Sequence, residues 1–425
     1  MTDPADTIWW HVYPLGFCGA PIRDGGFTMD DEPTPRLRRL INWLDYVVEL
    51  GCTGLLLGPI FASQTHGYDT LDQYRIDPRL GTMADFEDLV AACHQRNLRI
   101  VLDGVFSHVS ENHPWLRNDI ENGNTNSDLF DIDWNAQGGP KPRVWEGHHS
   151  LARFNHASDA AINYAIDVMK FWLAKGIDGW RLDAAYSVSS TFWEKVLAAV
   201  RADFPQAWFL GEVIHGDYAK FVEESTVDTT TEYELWKSIW SSLKDDNLFE
   251  LKWTMERHNA QLAHFTPQTF VGNHDVTRIT STVGPEKAIA AITVLMTLGG
   301  TPSIYAGDEV GMLGIKENRL GGDDAVRPEF PDNPSELDRV SEPASGLYQA
   351  HQQLIKLRKD HPWLTKARTS VNLLENRRLG YRTYSPDDES QYLDIMIDLD
   401  AMKFKVNNPD QTCAWSSENL SGRRL

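Results

Sequence analysis

The residues whose types are best suited to catalysis lie in the segment 179–185, which reads Gly-Trp-Arg-Leu-Asp-Ala-Ala at the end of a short apolar run. Side chains two positions apart on a strand point to the same face, so Arg181 and Asp183 would project together. A carboxylate beside a fixed cation stays ionised at neutral pH. This is the state of a nucleophile that attacks the anomeric carbon of a sugar. The alternative interpretation is a structural ion pair at the strand end.

Polar clusters also follow other apolar runs of the chain. They are Asp-Gly-Val-Phe-Ser-His at 103–108, Gly-Glu at 211–212 and Gly-Asn-His-Asp at 272–275, with His-Gly-Tyr-Asp in the loop at 66–69. Each has a structural alternative: Asp103 would brace the fold, and His108 or His274 would be satisfied histidines at its rim. A single acid at a strand end is more often structural than catalytic, but acids in register at successive strand ends predict one shared site.

The elements that must position these residues alternate along the chain. Apolar runs predict strands at 8–15, 53–58, 98–103, 177–183, 208–212, 228–233, 268–273 and 303–306, with helices between them. Eight such units predict an α/β fold, a closed (β/α)8 TIM barrel with its catalytic residues at the carboxyl ends of the strands.

Two stretches depart from this alternation. We expect the barrel to comprise residues 1–108 and 159–361, with a small excursion domain at 109–158 after the third strand. Short alternating runs predict a small C-terminal antiparallel β domain at 362–425.

The strand-end clusters resemble the four signature regions of the α-amylase family of glycoside hydrolases, family 13. The matching stretches are 103–108, 179–183, 211–213 and 270–275, and the resemblance extends over roughly residues 8–360. It implies that Asp183 is the nucleophile and Glu212 the general acid/base. It also implies that Asp275 is the third carboxylate, which binds sugar hydroxyls and stabilises the transition state.

The same resemblance implies a set of substrate-binding residues around these carboxylates. Arg181 would orient the nucleophile, and Asp103 would support the site without performing chemistry. The ring being cleaved would contact His108, His274, the aromatic platform Tyr68 and the hydroxyl partner Asp69.

The chemistry of a retaining glycosidase explains why these residue types are needed. Such an enzyme uses two carboxyl groups about 5–5.5 Å apart, one ionised to attack and one protonated to expel the leaving oxygen. Arg181 would keep Asp183 ionised, and the anions Asp183 and Asp275 would favour a protonated Glu212. A covalent glycosyl-enzyme would form. Water as its acceptor gives hydrolysis, and a sugar hydroxyl gives transglycosylation.

Local details are most similar to the neopullulanase, cyclomaltodextrinase and oligosaccharide α-glucosidase group of the family, at 67–70, 76–78, 212–217 and 305–312. Ile214 stands where many relatives have an aromatic residue that stacks on the leaving sugar. Ser107 replaces an Asn that supports a calcium site in many amylases, so we expect neither a metal nor another cofactor. After the eighth strand, Arg327 and Asp324 would limit the pocket to short oligosaccharides, unless 321–327 is an ordinary solvated loop.

Composition restricts the partners and the compartment. The net charge of −21 excludes nucleic acid and anionic membrane surfaces as expected partners but is compatible with a neutral oligosaccharide. We find no apolar leader, no run of 18 apolar residues and no metal-ligand spacing among the four cysteines, and we therefore expect a cytoplasmic protein.

Three functions remain open from the sequence. The first is a retaining α-glycoside hydrolase of short α-glucans or malto-oligosaccharides, and the second is a transglycosylase or isomerase that uses the same intermediate. The third is a non-catalytic carbohydrate-binding barrel, which the retention of Asp183, Glu212 and Asp275 disfavours. Linkage, chain length and oligomeric state are left open.

Overall fold

Eight short parallel strands surround the centre of the computed structural model, which describes residues 3–23, 31–123, 128–339, 341 and 343–420. Barrel strands one to eight are Trp9–Val12, Gly54–Leu57, Arg99–Gly104, Gly179–Leu182, Trp208–Gly211, Thr229–Thr230, Gln268–Phe270 and Thr301–Tyr305. They pair in sequence order, strand one also pairs with strand eight, and a parallel bridge between Thr231 and Gln268 joins strands six and seven. The predicted TIM-barrel fold is confirmed.

The strands are shorter than the apolar runs that predicted them. Pro14 begins a four-residue helix after strand one, since proline is tolerated in the first turn of a helix. Strand six has only two residues, and Tyr233, predicted to end that strand, instead begins the next helix. This difference places Tyr233 at the carboxyl end of the barrel.

The helices that follow the strands form the outer layer. The larger ones are Arg38–Leu50, Met83–Gln95, Asp159–Leu173, Ser190–Asp203, Tyr218–Ser225, Tyr233–Lys244, Phe249–Leu262, Pro285–Thr297 and Ala344–Asp360, with a short helix at Ile279–Val283. Local sequence sets several of their ends. Thr82 and Asp85 form a capping box, Ser158 and Ser189 cap two further helices, and Gly51 ends the first with φ of 102°. No helix of the described residues is long and apolar enough to cross a membrane.

Alternation along strand one separates two apolar layers. Trp10 packs between the strand and the outer helix, where it stacks on Trp43. Trp9 belongs to a separate buried cluster with Leu56, Val101, Trp208 and Leu210, and it stacks on Trp208 across the barrel with ring centroids 5.2 Å apart. The interior of the barrel is therefore packed.

The stretch after strand three leaves the barrel, as predicted. It contains the helix Pro114–Asn122 and an antiparallel sheet of His108–Ser110, His148–Arg153 and Val144–Trp145, with a two-stranded ribbon of Ile132–Asp133 and Lys141–Pro142. A further ribbon, Phe61–Ser63 with Thr70–Ile76, follows strand two.

A five-stranded antiparallel sheet lies at the C-terminal end, in the order Arg368–Leu374, Arg378–Tyr384, Tyr392–Asp398, Lys403–Asn407 and Cys413–Ser416. Leu393, Ile395 and Ile397 are buried at alternate positions of its third strand, the pattern of a sheet with one covered face. The sheet confirms the predicted C-terminal fold, whereas the predicted domain boundaries stay a prediction.

Candidate active site

The parallel register of three neighbouring strands brings the predicted catalytic residues together. Arg181 on strand four is paired with Asp103 on strand three. The backbone N–H of Glu212 donates to the Leu182 carbonyl at 2.9 Å, one residue before Asp183. Because the strands run in the same direction, their carboxyl ends deliver these side chains to one edge of the barrel.

Arg181 is the electrostatic centre of this site. Its guanidinium lies 2.6 Å from Asp103, 3.2 Å from Asp183 and 2.8 Å from Glu212, and its side chain is 3% exposed. The sequence predicted a pair of Arg181 with Asp183, but the structure divides one buried positive charge among three carboxylates. Arg181 alone therefore does not fix the charge of Asp183.

Burial first, and then the neighbouring Glu212 carboxyl, raise the pKa of Asp183 well above its ordinary value of 3.8, while Arg181 opposes this shift. This corrects the expectation that the arginine keeps Asp183 ionised in the free site. The neighbouring Glu212 carboxyl therefore opposes the ionisation of Asp183.

Three donors hold the Glu212 carboxyl in place. The Ala184 N–H donates to Oε2 at 2.9 Å, and the Tyr233 hydroxyl donates to Oε1 at 3.0 Å, where Arg181 also binds. Ala184 has φ of 44°, a left-handed conformation that is strained for a residue with a Cβ. This turn follows the predicted nucleophile and aims its N–H at the predicted acid/base.

Sequence reasoning did not identify Tyr233 or Asn273 as site residues. The Asn273 side-chain Nδ2 donates to the Tyr233 hydroxyl at 3.0 Å, and the side-chain Oδ1 of Asn273 accepts from the Asp275 N–H at 2.9 Å. Asn273 therefore links the support of Glu212 to the loop that carries Asp275. The only signal in the sequence was its place inside the fourth signature region.

Asp275 lies between two cationic or hydrogen-bonding partners. Arg327 Nη2 is 2.7 Å from its Oδ1, and His274 Nε2 is 3.0 Å from its Oδ2. Burial alone would raise the pKa of Asp275, but His274 and Arg327 outweigh it and hold that pKa well below the usual range. Asp275 is thus an anion in the free site.

Arg327 belongs to the site and not to a solvated loop. It is buried, its Nε donates to the His274 carbonyl at 2.9 Å, and its guanidinium lies over the Tyr13 ring. Asp324, predicted to act with it, instead pairs with Arg23 at 2.5 Å. The acid of the same loop that approaches Arg327 is Asp323, at 3.4 Å.

The predicted ring-binding residues differ in where they lie. Tyr68 donates to Asp103 at 3.0 Å, contacts His274 Nε2 and has its ring nearly parallel to that imidazole. His108 Nε2 contacts the Tyr68 carbonyl at 3.0 Å, and burial lowers the pKa of His108 to about 3, so its imidazole is neutral. Asp69 accepts from the Thr65 N–H and hydroxyl, which occupies both of its oxygens.

A cavity of about 450 Å³ opens over these groups. Six of the predicted residues line it, namely Asp183, Glu212, Asp275, Tyr68, His108 and Arg327. Arg181 and His274 are buried behind its walls, and Asp69 does not line it. The excursion contributes Trp145, His148 and Leu151 to the cavity, so a segment outside the barrel forms part of its wall.

Ser107, on which the expectation of no calcium rests, contacts a histidine of the site. The Ser107 hydroxyl contacts His108 Nδ1 at 2.8 Å, and burial keeps that imidazole neutral. The parts of the chain that the structure describes contain no group of three or more His, Cys, Asp or Glu residues that could hold a metal ion. The expectation of a metal-free site stays a prediction.

The barrel, with carboxylates and an arginine at its strand ends, is typical of one class of glycoside hydrolase. Comparison with known proteins identifies the same class. The family model described as the α-amylase catalytic domain matches residues 30–343. The chain therefore belongs to the α-amylase family of glycoside hydrolases, family 13, as the signature regions predicted.

Three relatives place the chain more finely within this family. The maltogenic α-amylase of Bacillus acidopullulyticus is 30% identical, over 98% of this chain and 74% of the relative. The cyclomaltodextrinase of Geobacillus thermopakistaniensis is 28% identical, over 99% and 73%. The solved cyclic α-maltosyl-(1→6)-maltose hydrolase of Arthrobacter globiformis is 26% identical with a TM-score of 0.78, over 93% of this chain and 91% of that one. The predicted similarity to the cyclomaltodextrinase and neopullulanase group is confirmed.

Proposed function

We propose that this protein is a retaining α-glycoside hydrolase of malto-oligosaccharides and related short α-glucans. The observation that carries the proposal is the meeting of Asp183, Glu212 and Asp275 at one cavity, with Arg181 bonded to the first two. The substrate class is supported by the names of the relatives, whose activities are on maltodextrin rings or maltosyl units.

The first half of the reaction forms a covalent intermediate. An Asp183 carboxylate oxygen attacks the anomeric carbon while the bond from that carbon to the leaving oxygen breaks. Glu212 gives its proton to the leaving oxygen, so the leaving sugar departs as a neutral alcohol and Glu212 becomes a carboxylate. Ala184 N–H and the Tyr233 hydroxyl hold Glu212 in position for this transfer.

The second half releases the sugar. Glu212 takes a proton from water, the water oxygen attacks the anomeric carbon, and the bond to Asp183 breaks. Each half inverts the anomeric carbon, and two inversions retain the α configuration. Asp275, an anion held by Arg327 and His274, would stabilise the positive charge that develops on the ring in both transition states.

The surrounding residues have proposed roles that follow from their contacts. Tyr68 would form the platform under the reacting ring, and the neutral imidazole of His108 would bind a hydroxyl of that ring. Arg181 and His274, behind the wall, would orient Asp183 and Asp275. Asp69 would reach a sugar only after giving up its bonds to Thr65. A cytoplasmic location stays a prediction, supported by four free cysteines.

Product analysis with catalytic variants tests this function. We would incubate the protein with maltose, maltotriose, maltotetraose, panose, isomaltose, pullulan and a cyclodextrin, and follow the products by chromatography. Glu212→Gln and Asp183→Asn should each lower kcat on unactivated glucans by roughly 10²–10⁴-fold or more. Glu194→Gln, an exposed change of the same kind, is the matched control and should keep full activity.

The outcomes separate the functions that the sequence left open. Shorter sugars alone identify a hydrolase, and early products longer than the substrate, or isomers of it, identify transfer as the main reaction. Full activity in either catalytic variant would contradict the assigned roles. No reaction with any sugar of the panel would contradict the proposed function.

A further inference from the structure

A second and larger cavity, which the proposed mechanism does not use, lies beside the catalytic one. It has a volume of about 720 Å³ and is lined by Trp236, Trp240, Val271, Val276, Ile279 and Ile315, with polar residues at its edge. We call it the tryptophan groove. Its size is within the range of about 300–1,000 Å³ that ligand pockets occupy.

The groove is continuous with the catalytic cavity. Asp275, Val276 and Lys316 line both cavities. Asp275 is the proposed third catalytic carboxylate, and its side chain is 31% exposed. A molecule whose reacting ring lies over Asp183 can therefore extend past Asp275 into the groove.

Two indoles one helical turn apart form one wall. Trp236 and Trp240 lie on the helix Tyr233–Lys244, and their ring centroids are 5.8 Å apart. Aromatic residues at this spacing usually belong to a buried core, but both of these remain partly exposed. The Nε1 atom of Trp240 is buried, so the exposed surface of this ring is carbon.

Trp236 is held firmly in that wall. Its ring is stacked at 18° on Phe270 and meets Tyr233 edge to face, and Tyr233 in turn bonds Glu212. The groove and the catalytic acid/base therefore share one support.

A second wall combines apolar and polar groups. Ile315 is 60% exposed, although burial of such a side chain is favourable. Polar side chains that follow Ile315 in the chain, and others at 277–282, also line the groove: Lys316, Glu317, Asn318, Thr277, Ser281 and Thr282. Apolar rings with hydroxyl, amide and charged partners at their margin suit a ligand that has an apolar face and a polar rim.

We propose that the tryptophan groove binds a further segment of the same α-glucan whose reacting glucosyl unit lies in the catalytic cavity. The C–H faces of glucose rings would pack on the exposed carbon of the indoles and on Ile315, and their hydroxyls would bond the polar edge. This inference rests on the proposed function, and it makes the enzyme selective for chains long enough to reach the groove.

The test compares long and short substrates of the same chemistry. Trp240→Ala should lower the ratio of kcat/KM for maltoheptaose to kcat/KM for maltotriose by about tenfold, because only the longer chain reaches the groove. Ile315→Ser, at an exposed position of the other wall, should lower the ratio about threefold and decides the question if Trp240→Ala does not fold. Trp253→Ala is the matched control, since Trp253 is 63% exposed and lies outside the groove.

Each outcome bears on a separate statement. An unchanged ratio in folded, active variants overturns the groove assignment and leaves the proposed function intact. A selective loss of activity on aryl α-glucosides, with no dependence on chain length, also overturns it, because the groove would then bind an apolar leaving group. If the unaltered protein cleaves no α-glucan, the proposed function falls, and the inference falls with it.

Discussion

At the level of single residues, the charges around Arg181 influence the ionisation of the neighbouring carboxyl groups. One buried guanidinium contacts the carboxyl groups of Asp103, Asp183 and Glu212, so its single positive charge is shared by three acids. Glycosidase chemistry needs one ionised and one protonated carboxyl group. Burial, and then the Glu212 carboxyl, raise the pKa of Asp183 within this cluster.

We expect the pH dependence of activity to report the raised pKa of Asp183. Asp183, the proposed nucleophile, must be ionised to attack, so kcat/KM should rise with pH through an apparent pKa well above the ordinary 3.8. Asp103→Asn removes a negative charge that raises this pKa, and should move the acid limb to lower pH. A pH profile of kcat/KM for maltotriose measures both shifts. An acid limb near 3.8 in the unaltered protein would contradict this account.

Tyr233 is a positioning residue that only the structure identified. Tyr233→Phe removes a hydroxyl that donates to Glu212. In the proposed mechanism this bond strengthens as Glu212 gives up its proton, because a hydrogen bond to a carboxylate is worth about 1.5–3 kcal/mol. We expect kcat on maltotriose to fall roughly 10–100-fold with little change in KM.

An activated aryl α-glucoside separates this role from a general structural one. Its leaving group needs less protonation, so Tyr233→Phe should affect it less than maltotriose. Equal losses on both substrates would argue that Tyr233 supports only the fold. A melting curve of the variant provides the control for stability.

At the level of elements, the close contact between barrel strands four and five helps to set the spacing of the two proposed catalytic carboxyl groups. Gly179 is paired with Trp208 at the start of these strands, and a Cβ at position 179 would overlap the Trp208 backbone carbonyl. Asp183 and Glu212 follow at the other ends of the same strands. The absence of a side chain at Gly179 therefore helps to determine the geometry of the site.

Gly179→Ala should force strands four and five apart. We expect a loss of stability of roughly 1–3 kcal/mol and a fall in kcat/KM, since backbone shifts in a packed interior cost about this much. Thermal unfolding and maltotriose kinetics measure both effects. Gly58→Ala is the control, because a Cβ there meets its neighbours at an ordinary 3.4 Å. Equal effects of the two changes would contradict a special role for Gly179.

The excursion is a second element that shapes the site. Trp145 Nε1 donates to the Ser187 hydroxyl at 3.0 Å, and that hydroxyl donates to the Ala184 carbonyl at 2.8 Å. The Trp145 ring also packs on His108 with centroids 4.5 Å apart. These two hydrogen bonds connect the excursion to the strained turn after Asp183. They explain how a segment outside the barrel forms part of the candidate active-site cavity.

The barrel and the C-terminal sheet form one packed body at the level of the whole molecule. Tyr381 is fully buried, and its hydroxyl shares a 2.6 Å hydrogen bond with Thr297 at the end of a barrel helix. Trp415 Nε1 donates to Gln353 on the helix Ala344–Asp360 at 2.9 Å. The sheet is thus bonded to two of the barrel helices.

We expect the sheet and the barrel to lose their structure together. Tyr381→Ala removes a large buried ring and should cost roughly 3–5 kcal/mol, lowering the temperature at which catalytic activity is lost. Activity after heating and the circular dichroism signal should shift by the same amount. Tyr384→Ala, half-buried on the same strand, should have a smaller effect. Retention of full activity after the sheet has melted would contradict this coupling.

The sequence determined the fold and the three carboxylates for a local reason. Hydrophobic alternation marks parallel strands, and parallel strands place their carboxyl ends at one edge, so Asp183, Glu212 and Asp275 had to meet once the strands were recognised. The sequence predicted the bounds of the elements less well. Strand six has two residues, and Tyr233 begins a helix in place of ending that strand.

Only the tertiary structure decided which partners these carboxylates have. Arg181 reaches three acids, Arg327 crosses from the last loop to Asp275, and Trp145 comes from outside the barrel. The partners in these contacts are far apart along the chain, so no periodic pattern in the sequence relates them. The contacts also depend on loop conformations that the sequence pattern does not predict. The spacing of residues in the sequence predicts which groups perform the proposed chemistry. Tertiary packing determines the charges of those groups and the cavity in which a substrate would bind.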